Sequence, residues 1–478
     1  MMRIAVIGGG PGGLLTAFFL ERKSTEPLDI TLFEAGSAVG GKVQTLRFDA
    51  APVLYEAGVA ELYGYGEDPL RRLVTKVLEL PVVSMGGSTV VFGGHVLRSE
   101  ADIEHHFGAG TVRALRAFRR RGRAERPFRA FYDGGWPTDN RHPWVKLTLM
   151  DLLAAVPDEV ARRFLEVLIH SDLATEPNLT SGLYGIDNYL INESDYCQLY
   201  SIVGGLSRFV ESVAARVSAR VELGARVAAV GMTDCGEYRV AFEVGGRSAS
   251  KDFDAVVAAL PVHGLRRVQW VGRLLRTAME SHVARYDAPA HYLRITALFR
   301  EPFWRGAFNE SYFIHDAFGG CCVYDEGARH DTSNYGVLSW LISGSDAISM
   351  SNCNDAELIA RAIDSLPEAI ATPAAARERF LEGRVHRWLG SVNGLPGGKP
   401  IEGAVERHSP EPEEHRGLLV VGDYLFDSTV NGAFDSADLA TNILLDRHGI
   451  VRRDLALSTP DPSKCAPDPG SSSGRVGR

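Results

Sequence analysis

Apolar residues near the start of the chain fall into two short runs, separated by a glycine-rich turn and a helical stretch. The run Ile4–Ile7 is rich in β-branched residues, which is typical of a buried parallel strand. Leu14–Arg22 carries small and apolar residues at helical spacing, and Asp29–Glu34 predicts a second strand. The pattern therefore predicts a strand–helix–strand unit of about 30 residues.

The pattern is less regular in the middle of the chain and becomes clear again toward its end. Val156–Ile169 has apolar residues on one helical face, and Ala356–Ile370 predicts another amphipathic helix. Several alternating strands are predicted between residues 290 and 340. Leu418–Asp423 predicts one more buried strand, and the last helix is expected to end near Leu445.

Composition narrows the class of protein. A chain of 478 residues with 45% hydrophobic and 23% charged residues is ordinary for a globular protein of two or three domains. The net charge of −9 disfavours nucleic-acid binding, which needs clustered cations. Residues 458–478 are rich in Pro, Ser, Gly and Asp, so we expect a disordered tail there.

One stretch departs from the acidic balance, the arginine-rich segment 113–129. A solvated basic helix is the favoured interpretation. A docking surface for an acidic partner or substrate is the alternative, and the sequence leaves both open.

The six cysteines show no C-x-x-C spacing and no flanking histidine pair, so no metal site is expected. No apolar run approaches the ~20 residues that a membrane-spanning helix needs. The chain passes from Arg3 directly into its first predicted strand, without a secretory signal pattern. We therefore expect a reduced, cytoplasmic protein with no nucleic-acid partner and no integral membrane segment.

The glycine-rich turn has the pattern Gly8-x-Gly10-x-x-Gly13 between the first strand and the first helix. Gly8 allows a tight turn, Gly10 lets the backbone approach a pyrophosphate, and Gly13 lets the helix pack close to the strand. Glu34 ends the second strand, where a carboxylate can accept the hydroxyl hydrogens of an adenosine ribose. The unit predicts a dinucleotide site; a purely structural unit is the alternative.

Further motifs follow in a fixed order along the chain. The motifs are Gly40-Gly-Lys-Val-Gln-Thr45, Glu56-Ala-Gly58, Gly204-Gly-Leu-Ser207, Arg226-Val227, Ala258-Ala-Leu-Pro261, Gly422-Asp423 and Gly432-Ala433. Together with the glycine turn and Glu34, they resemble the flavin-containing amine oxidase superfamily, which includes protoporphyrinogen oxidases and carotenoid-type (phytoene-desaturase-like) enzymes. The resemblance runs from residue 4 to about 445.

The resemblance implies an α/β fold with a Rossmann-type FAD-binding domain and a discontinuous α+β substrate domain. We expect the FAD-binding domain to be assembled from residues 1–70, 200–275 and 400–450. The substrate domain is expected to comprise residues 71–199 and 276–399.

The resemblance also implies roles for individual residues. Asp423 should face the ribityl or pyrophosphate region, and Val227 should contact adenine through its backbone. Lys42 stands where the family usually has arginine, which keeps the charge but loses a planar contact. No cysteine lies near residues 428–434, so non-covalent FAD is expected. The candidate cofactor-binding residues are Gly8, Gly10, Gly12, Gly13, Glu34, Gly41, Lys42, Glu56, Gly58, Val227, Gly422, Asp423, Asn431, Gly432 and Ala433.

Three residues are candidates for the catalytic side. Arg294 matches the position where many amine oxidases have a lysine that holds a water at flavin N5; a salt-bridged or surface arginine is the alternative. Glu61 lies near the position of an arginine that clamps the carboxylate in L-amino-acid oxidases, so it would instead attract an ammonium group. Pairing of Glu61 with an arginine of the helical domain is the slightly favoured alternative. Trp388 matches an aromatic residue near the flavin, although tryptophan is more often a packing residue.

The function implied by the resemblance is FAD-dependent oxidation of a C–N bond in a small amine or amino acid. The product would be an imine, and oxygen would reoxidise the flavin. The alternative enzyme function is C–C desaturation of an apolar or cyclic substrate, and a flavin-binding protein without turnover is a third class. The expected partner is a small-molecule substrate, and a homodimer is one open assembly.

Overall fold

A computed structural model of the chain describes residues 1–64, 68–127, 142–193, 196–396 and 402–455. The predicted tail, 458–478, lies outside the described residues. The helices are α1 Pro11–Lys23, α2 Pro69–Arg72, α3 Glu100–Phe107, α4 Ala109–Glu125, α5 Leu149–Ala154, α6 Glu159–Leu173, α7 Gly182–Ile191, α8 Ser207–Ala214, α9 Val262–Leu265, α10 Arg273–Arg285, α11 Gly344–Met350, α12 Asp355–Asp364, α13 Pro373–Arg379, α14 Ala404–His408 and α15 Val430–Arg447.

The strands form five sheets within the described residues. They are β1 Met2–Ile7, β2 Leu28–Phe33, β3 Thr45–Arg47, β4 Leu54–Glu56, β5 Leu62–Tyr63, β6 Val82–Met85, β7 Val90–Phe92, β8 His95–Leu97, β9 Leu199–Ile202, β10 Arg220–Glu222, β11 Arg226–Met232, β12 Tyr238–Val244, β13 Arg247–Phe253, β14 Ala255–Ala258, β15 Gln269–Val271, β16 Pro289–Phe299, β17 Tyr312–His315, β18 Cys321–Asp325, β19 Gly336–Ser343, β20 Phe380–Asn393 and β21 Leu418–Val420.

A parallel five-stranded sheet, in the order β10-β2-β1-β14-β21, carries the glycine turn. Its central strands are buried because both faces are covered. Residues of α1 and α15 pack on one face, and the four-stranded sheet β13-β12-β11-β15 packs on the other. The strand–helix–strand unit predicted from the sequence therefore lies at the centre of this layer.

A seven-stranded sheet, in the order β20-β16-β19-β18-β17-β7-β8, forms the second large layer. Along β18, Cys321 and Val323 belong to the cluster that includes α12 residues. Cys322 and Tyr324 belong to the cluster that includes Phe164 of α6. Every strand of this sheet comes from residues 71–199 or 276–399, and every strand of the parallel sheet comes from the predicted FAD-binding ranges. The domain limits themselves stay a prediction.

Three predicted helices have clearly different boundaries in the structure. The helix predicted over Ala356–Ile370 is α12, Asp355–Asp364, which ends before Pro367 because proline disfavours a helical conformation in the residue before it. The helix predicted over Val156–Ile169 is α6, Glu159–Leu173. It starts later because Pro157 precedes Asp158, whose side chain caps the helix by accepting from Ala161 N at 2.8 Å. The first helix starts at Pro11 rather than Leu14, since proline at the first helical position has no N–H that needs a partner.

The arginine-rich segment forms α4 as far as Glu125, and its arginines interact with nearby side chains. Arg116 pairs with Glu100, and Arg123 and Arg119 both pair with Glu193. Arg126, just past the helix, bonds Asp187 at 2.6 Å. Much of the basic charge is therefore compensated within the protein, while residues 128 and 129 lie outside the described residues.

No helix in the described ranges combines the length and the apolar character needed to cross a bilayer.

Two buried histidines, His282 and His408, lie near the C-terminal end of β21. His408 Nδ1 is 2.7 Å from the Ala404 carbonyl oxygen, so this nitrogen carries the proton. Its Nε2 is 3.1 Å from the Ser436 hydroxyl, which accepts from Gly422 N at 3.0 Å. Burial lowers the pKa of His282 to about 3 and that of His408 to about 4. Both rings are therefore neutral in the folded protein.

We predict that stability falls as the pH drops below about 6.5. In that range the unfolded chain protonates these histidines while the folded protein does not, so each contributes a loss of up to ~1.4 kcal/mol per pH unit. The loss continues until the pH reaches the lowered pKa. Urea unfolding of the wild type and of His408→Gln at several pH values measures this. The variant should show a weaker pH dependence, whereas His105→Gln at an exposed site should not. Equal slopes in His408→Gln and wild type would contradict the assignment.

Candidate active site

The glycine turn, residues 8–13, joins β1 to α1. Gly8 has a φ of +109°, and a Cβ at Gly13 would clash with the carbonyl oxygen of Gly8. A side chain at Gly13 would therefore push the helix away from the strand, whereas one at Gly8 would be strained by the positive φ and would clash with the Ala259 carbonyl oxygen. Gly10 differs, because a Cβ there would meet only the Cα of Gly41, at 3.9 Å. This face of the turn leaves room for a ligand to approach the backbone.

The first turn of α1 carries no side-chain cap, because its N-cap residue is Gly10. Pro11 has no N–H, and the amides of Gly12 and Gly13 are among those that a helix leaves unpaired at its start. Such a helix end favours an anionic group through its free N–H donors and its dipole.

The second glycine pair, Gly40-Gly41, lies against the first turn. Gly40 N donates to the Gly9 carbonyl oxygen at 2.8 Å. A Cβ at Gly41 would stand 3.1 Å from the Cα of Gly10. The two glycine turns therefore meet at one cleft, whose width is set by backbone atoms.

Lys42 follows this pair and reaches the end of β21. Its ammonium group donates to Asp423 Oδ2 at 2.5 Å and to the Ser391 carbonyl oxygen at 2.8 Å. The Asp423 side chain is 13% exposed and that of Lys42 is 29% exposed. The structure thus brings together two predicted cofactor-binding residues, next to Gly422.

Glu34 stands where β2 ends, beside the glycine turn. Its carboxylate accepts from Gly9 N at 2.7 Å and from Gly36 N at 2.6 Å. Ala225 N donates to the Glu34 carbonyl oxygen at 2.8 Å, which fixes the start of β11 and Val227 close to Glu34. Each carboxylate oxygen keeps further acceptor capacity, so the group can also accept ribose hydroxyls.

Glu56 is fully buried and connects three of the predicted motifs. Its carboxylate accepts from Leu206 N at 3.0 Å and from the Thr45 hydroxyl at 2.9 Å. Thr45 and Ser207 in turn bond each other's backbone N–H through their hydroxyls, at 2.8 and 3.0 Å. Glu56 therefore holds the loops of the cofactor site together, and both of its oxygens are engaged by protein donors.

The predicted residues Asn431, Gly432 and Ala433 lie in the first turn of α15. The Thr429 hydroxyl caps this helix by accepting from Gly432 N at 3.2 Å, and it donates to Asp427 Oδ1 at 2.6 Å. Burial raises the pKa of Asp427. A carboxyl group therefore stands at the start of the helix that carries these three predicted cofactor-binding residues.

Arg294 lies on β16 with no exposed surface. Its Nε donates to the Ser339 hydroxyl at 2.9 Å, Nη1 to the Gly58 carbonyl oxygen at 2.8 Å, and Nη2 to Glu326 Oε1 at 2.9 Å. The side chain is therefore a salt-bridged arginine, as the alternative interpretation expected. The same contacts also fix it to the segment that contains the predicted Gly58.

Trp388 lies on β20 and packs on that segment. Its indole N–H donates to the Ala57 carbonyl oxygen at 2.7 Å. A Cβ at Gly58 would clash with the Lys42 carbonyl oxygen and would stand 3.3 Å from the Trp388 ring. Glycine is required at this position because the two neighbours approach so closely.

Glu61 lies at the end of the same segment, beside Tyr324. The Tyr324 hydroxyl donates to Glu61 Oε1 at 3.2 Å, while the buried Oε2 has no hydrogen-bond partner among the described residues. Burial raises the pKa of Glu61, although Arg329 opposes the shift. Burial also raises the pKa of nearby Asp172, to about 7, and the charge of Glu61 adds to that effect. Within the described ranges, Glu61 forms no salt bridge with the arginine-rich helical region.

Sequence reasoning missed Asp172, Tyr324, Glu326 and Arg329. Asp172 follows an apolar helical face, and no local pattern marks it. The charged run Glu326–His330 lies between two apolar strands and was the available signal, since fully buried Glu and Arg are rare unless paired.

These residues fit an FAD. The uncapped start of α1 and the glycine cleft suit a pyrophosphate, Glu34 suits a ribose, and Lys42 adds a cation to the cleft.

We predict that Glu34→Ala weakens FAD binding by about 1–3 kcal/mol, because charge-assisted hydrogen bonds to the ribose are lost. Titration of the apoprotein with FAD, followed by flavin fluorescence, measures the change. Glu222→Ala is the matched control, because Glu222 ends the neighbouring strand β10 and its carboxylate pairs with Arg220. An unchanged affinity in Glu34→Ala would show that Glu34 does not hold the cofactor.

Comparison with known proteins agrees with this arrangement. Stretches of 49 and 71 residues are 47% and 32% identical to coproporphyrinogen III oxidase of Bacillus subtilis and to probable polyamine oxidase 5 of Arabidopsis thaliana. They cover 10% and 15% of this chain, and 10% and 13% of those relatives.

Solved structures match over nearly the whole length at low identity. Putrescine oxidase bound to putrescine is 18% identical with a TM-score of 0.72, over 93% of this chain and 99% of that one. Cyclohexylamine oxidase from Brevibacterium oxydans is 18% identical with a TM-score of 0.71, over 94% and 99%. These likenesses show the fold. The model of the family described as flavin containing amine oxidoreductase matches residues 11–445, so the chain belongs to that family of flavin-dependent oxidoreductases, with FAD as cofactor.

Proposed function

We propose that the protein oxidises a C–N bond of a small cationic amine or amino acid to an imine, with oxygen as the final oxidant. Bound FAD supplies the hydride acceptor for this chemistry. The carbon gives up a hydride and the nitrogen a proton. Water then hydrolyses the imine to a carbonyl compound and releases the nitrogen as ammonia or an amine, and oxygen takes up two electrons and two protons to give hydrogen peroxide.

The observation that carries this proposal is the placement of Glu61. Its Oε2 is buried and has no hydrogen-bond partner in the part of the chain that the structure describes, and an unpaired buried carboxylate is costly. A cationic group on a part of the substrate remote from the reacting amine would favour the ionised carboxylate and so be attracted to it. Tyr324 and Asp172 add a further acceptor and a second acidic group on the same side.

An amine suits this region better than an amino acid. A substrate carboxylate would be repelled by ionised Glu61. The arginines that act on Glu61 electrostatically include Arg294 and Arg329, and both already share the carboxylate of Glu326. We therefore favour an amine without a carboxylate close to the reacting nitrogen.

Arg294 contributes a fixed positive charge, which contacts the Gly58 carbonyl oxygen and is shared with Glu326. A nearby cation favours the neutral form of the reacting amine, which hydride removal requires. Arginine cannot act as a general base, because its pKa stays above ~12. We assign Arg294 an electrostatic role and Trp388 the packing of the adjoining backbone.

The names of similar proteins support amine chemistry. Two solved structures are of a putrescine oxidase and a cyclohexylamine oxidase, and one relative is a probable polyamine oxidase. The coproporphyrinogen III oxidase relative favours the second candidate, C–C desaturation of a cyclic substrate. The cytoplasmic location and a homodimer stay predictions.

Anaerobic mixing of the purified, FAD-loaded protein with amines, amino acids, porphyrinogens and polyenes distinguishes the two candidates. Bleaching of the flavin absorbance by amines alone is the expected result. Bleaching only by porphyrinogens or polyenes would replace the proposal with desaturation. Admission of oxygen should then restore the absorbance and release hydrogen peroxide.

We predict that Glu61→Gln raises the dissociation constant of a cationic amine about tenfold or more, because a charge-assisted bond is lost. The limiting rate of flavin reduction should change less, since the reacting carbon keeps its place. Stopped-flow reduction over a range of amine concentrations separates the two quantities. Glu378→Gln on the exposed face of α13 is the control. Wild-type affinity in Glu61→Gln would mean that Glu61 is structural.

A further inference from the structure

The backbone segment 57–61 is held by side chains of the seven-stranded sheet and the loop after β18. Trp388 donates to the carbonyl oxygen of Ala57, and Arg294 donates to that of Gly58. Arg329 donates to the carbonyl oxygen of Ala60 through Nη1. Three neighbouring carbonyl groups are thus fixed by donors from distant parts of the chain.

Segment 57–61 connects the two halves of the candidate site. In its middle, Val59 N donates to the Lys42 carbonyl oxygen at 3.0 Å, and Lys42 pairs with Asp423. At its end lies Glu61, the residue proposed to attract the substrate. A shift of this segment would therefore move both the cofactor-side cation and the substrate-side carboxylate.

Glu326 binds both of the arginines that hold segment 57–61. Its carboxylate accepts two bonds from Arg329, both at 2.8 Å, and one from Arg294 at 2.9 Å. The side chains of all three residues have no exposed surface. The centroid of the Tyr324 ring lies 5.4 Å from the guanidinium carbon of Arg294 and 5.2 Å from that of Arg329. The ring therefore belongs to the same cluster.

Stability alone does not explain this cluster. Burying three charges costs desolvation free energy, and well-packed apolar residues of similar volume are often as stable or more stable. The cluster does supply fixed donors at two backbone carbonyls, which apolar residues cannot do. Its value therefore lies in the geometry that it imposes on segment 57–61.

We propose that Glu326 is a positioning residue, which orients Arg294 and Arg329 so that they fix the distance between the Lys42–Asp423 pair and Glu61. This role rests on the proposed function of Glu61 in attracting the substrate. Glu326 itself touches neither substrate nor cofactor.

The test uses FAD-loaded protein and three variants. Glu326→Gln keeps the shape of the side chain and removes its charge. Glu326→Gln with Arg329→Met restores the net charge of the cluster but leaves the Ala60 carbonyl without its donor. Glu301→Gln is the matched control, because Glu301 pairs with Arg379 at 2.8 Å on the surface of the same sheet.

For Glu326→Gln we expect the rate constant of flavin reduction by an amine to fall on the order of 10²-fold, as for a misplaced reacting group. We also expect a higher amine dissociation constant and a raised flavin midpoint potential, because a negative charge is lost near the cofactor site. In the double variant the melting temperature and the potential should return toward wild type. The slow reduction and weak amine binding should remain. Glu301→Gln should match wild type throughout.

A merely structural ion pair gives a different result. Melting temperature and kinetics would then recover together in the double variant, or the kinetics would equal wild type in every variant that binds FAD. Either outcome overturns the proposal.

If Glu326→Gln does not fold, the double variant alone decides, since persistence of slow reduction supports positioning and full recovery contradicts it. Reductive titration with dithionite gives the potential without any amine. If no amine reduces wild type, the proposed function fails, and the potentials still report on the Glu326 cluster.

Discussion

A single buried carboxylate shared by two guanidinium groups constrains the centre of this protein. Glu326 carries the negative charge for both Arg294 and Arg329, and none of the three side chains is exposed. Breaking such a pair leaves an uncompensated buried charge, which typically costs about 3–5 kcal/mol. Segment 57–61 is therefore restricted to positions in which Gly58 and Ala60 keep their arginine donors. This restriction sets the position of the cofactor-side residues relative to the substrate-side residues.

The nucleotide-binding half was predictable because its signals are local. A β-branched strand, a glycine turn and a helix that begins with Pro11 lie within one short stretch, and each residue has a backbone reason for its identity. Glu34 could be assigned from its position at the end of the next strand. The ordered motifs of the family extended this assignment to Lys42 and Asp423, although their direct pairing across 381 residues was not foreseen.

The substrate side was less predictable because its contacts join residues that are far apart in sequence. Arg294 was identified by position, but its partner Glu326 is 32 residues away, and Gly58 is 236 residues away. The periodic pattern of a strand does not show that one of its side chains contacts a carbonyl group far away in the sequence. Glu61 was assigned from its position in the family pattern and from its charge, and only the structure shows that its Oε2, beside Tyr324, has no hydrogen-bond partner among the described residues. Pro157 was a local signal for the late start of α6, but apolar spacing that begins at Val156 outweighed it in the prediction.

A crystal structure of the protein with bound FAD tests this account most directly. The pyrophosphate is expected to lie at the amides of Gly12 and Gly13, between the two glycine turns. Arg294 and Arg329 are both expected to contact Glu326, with residues 57–60 between the flavin and Glu61. A pyrophosphate bound elsewhere, or an Arg294 side chain rotated away from Glu326 and Gly58, would contradict it.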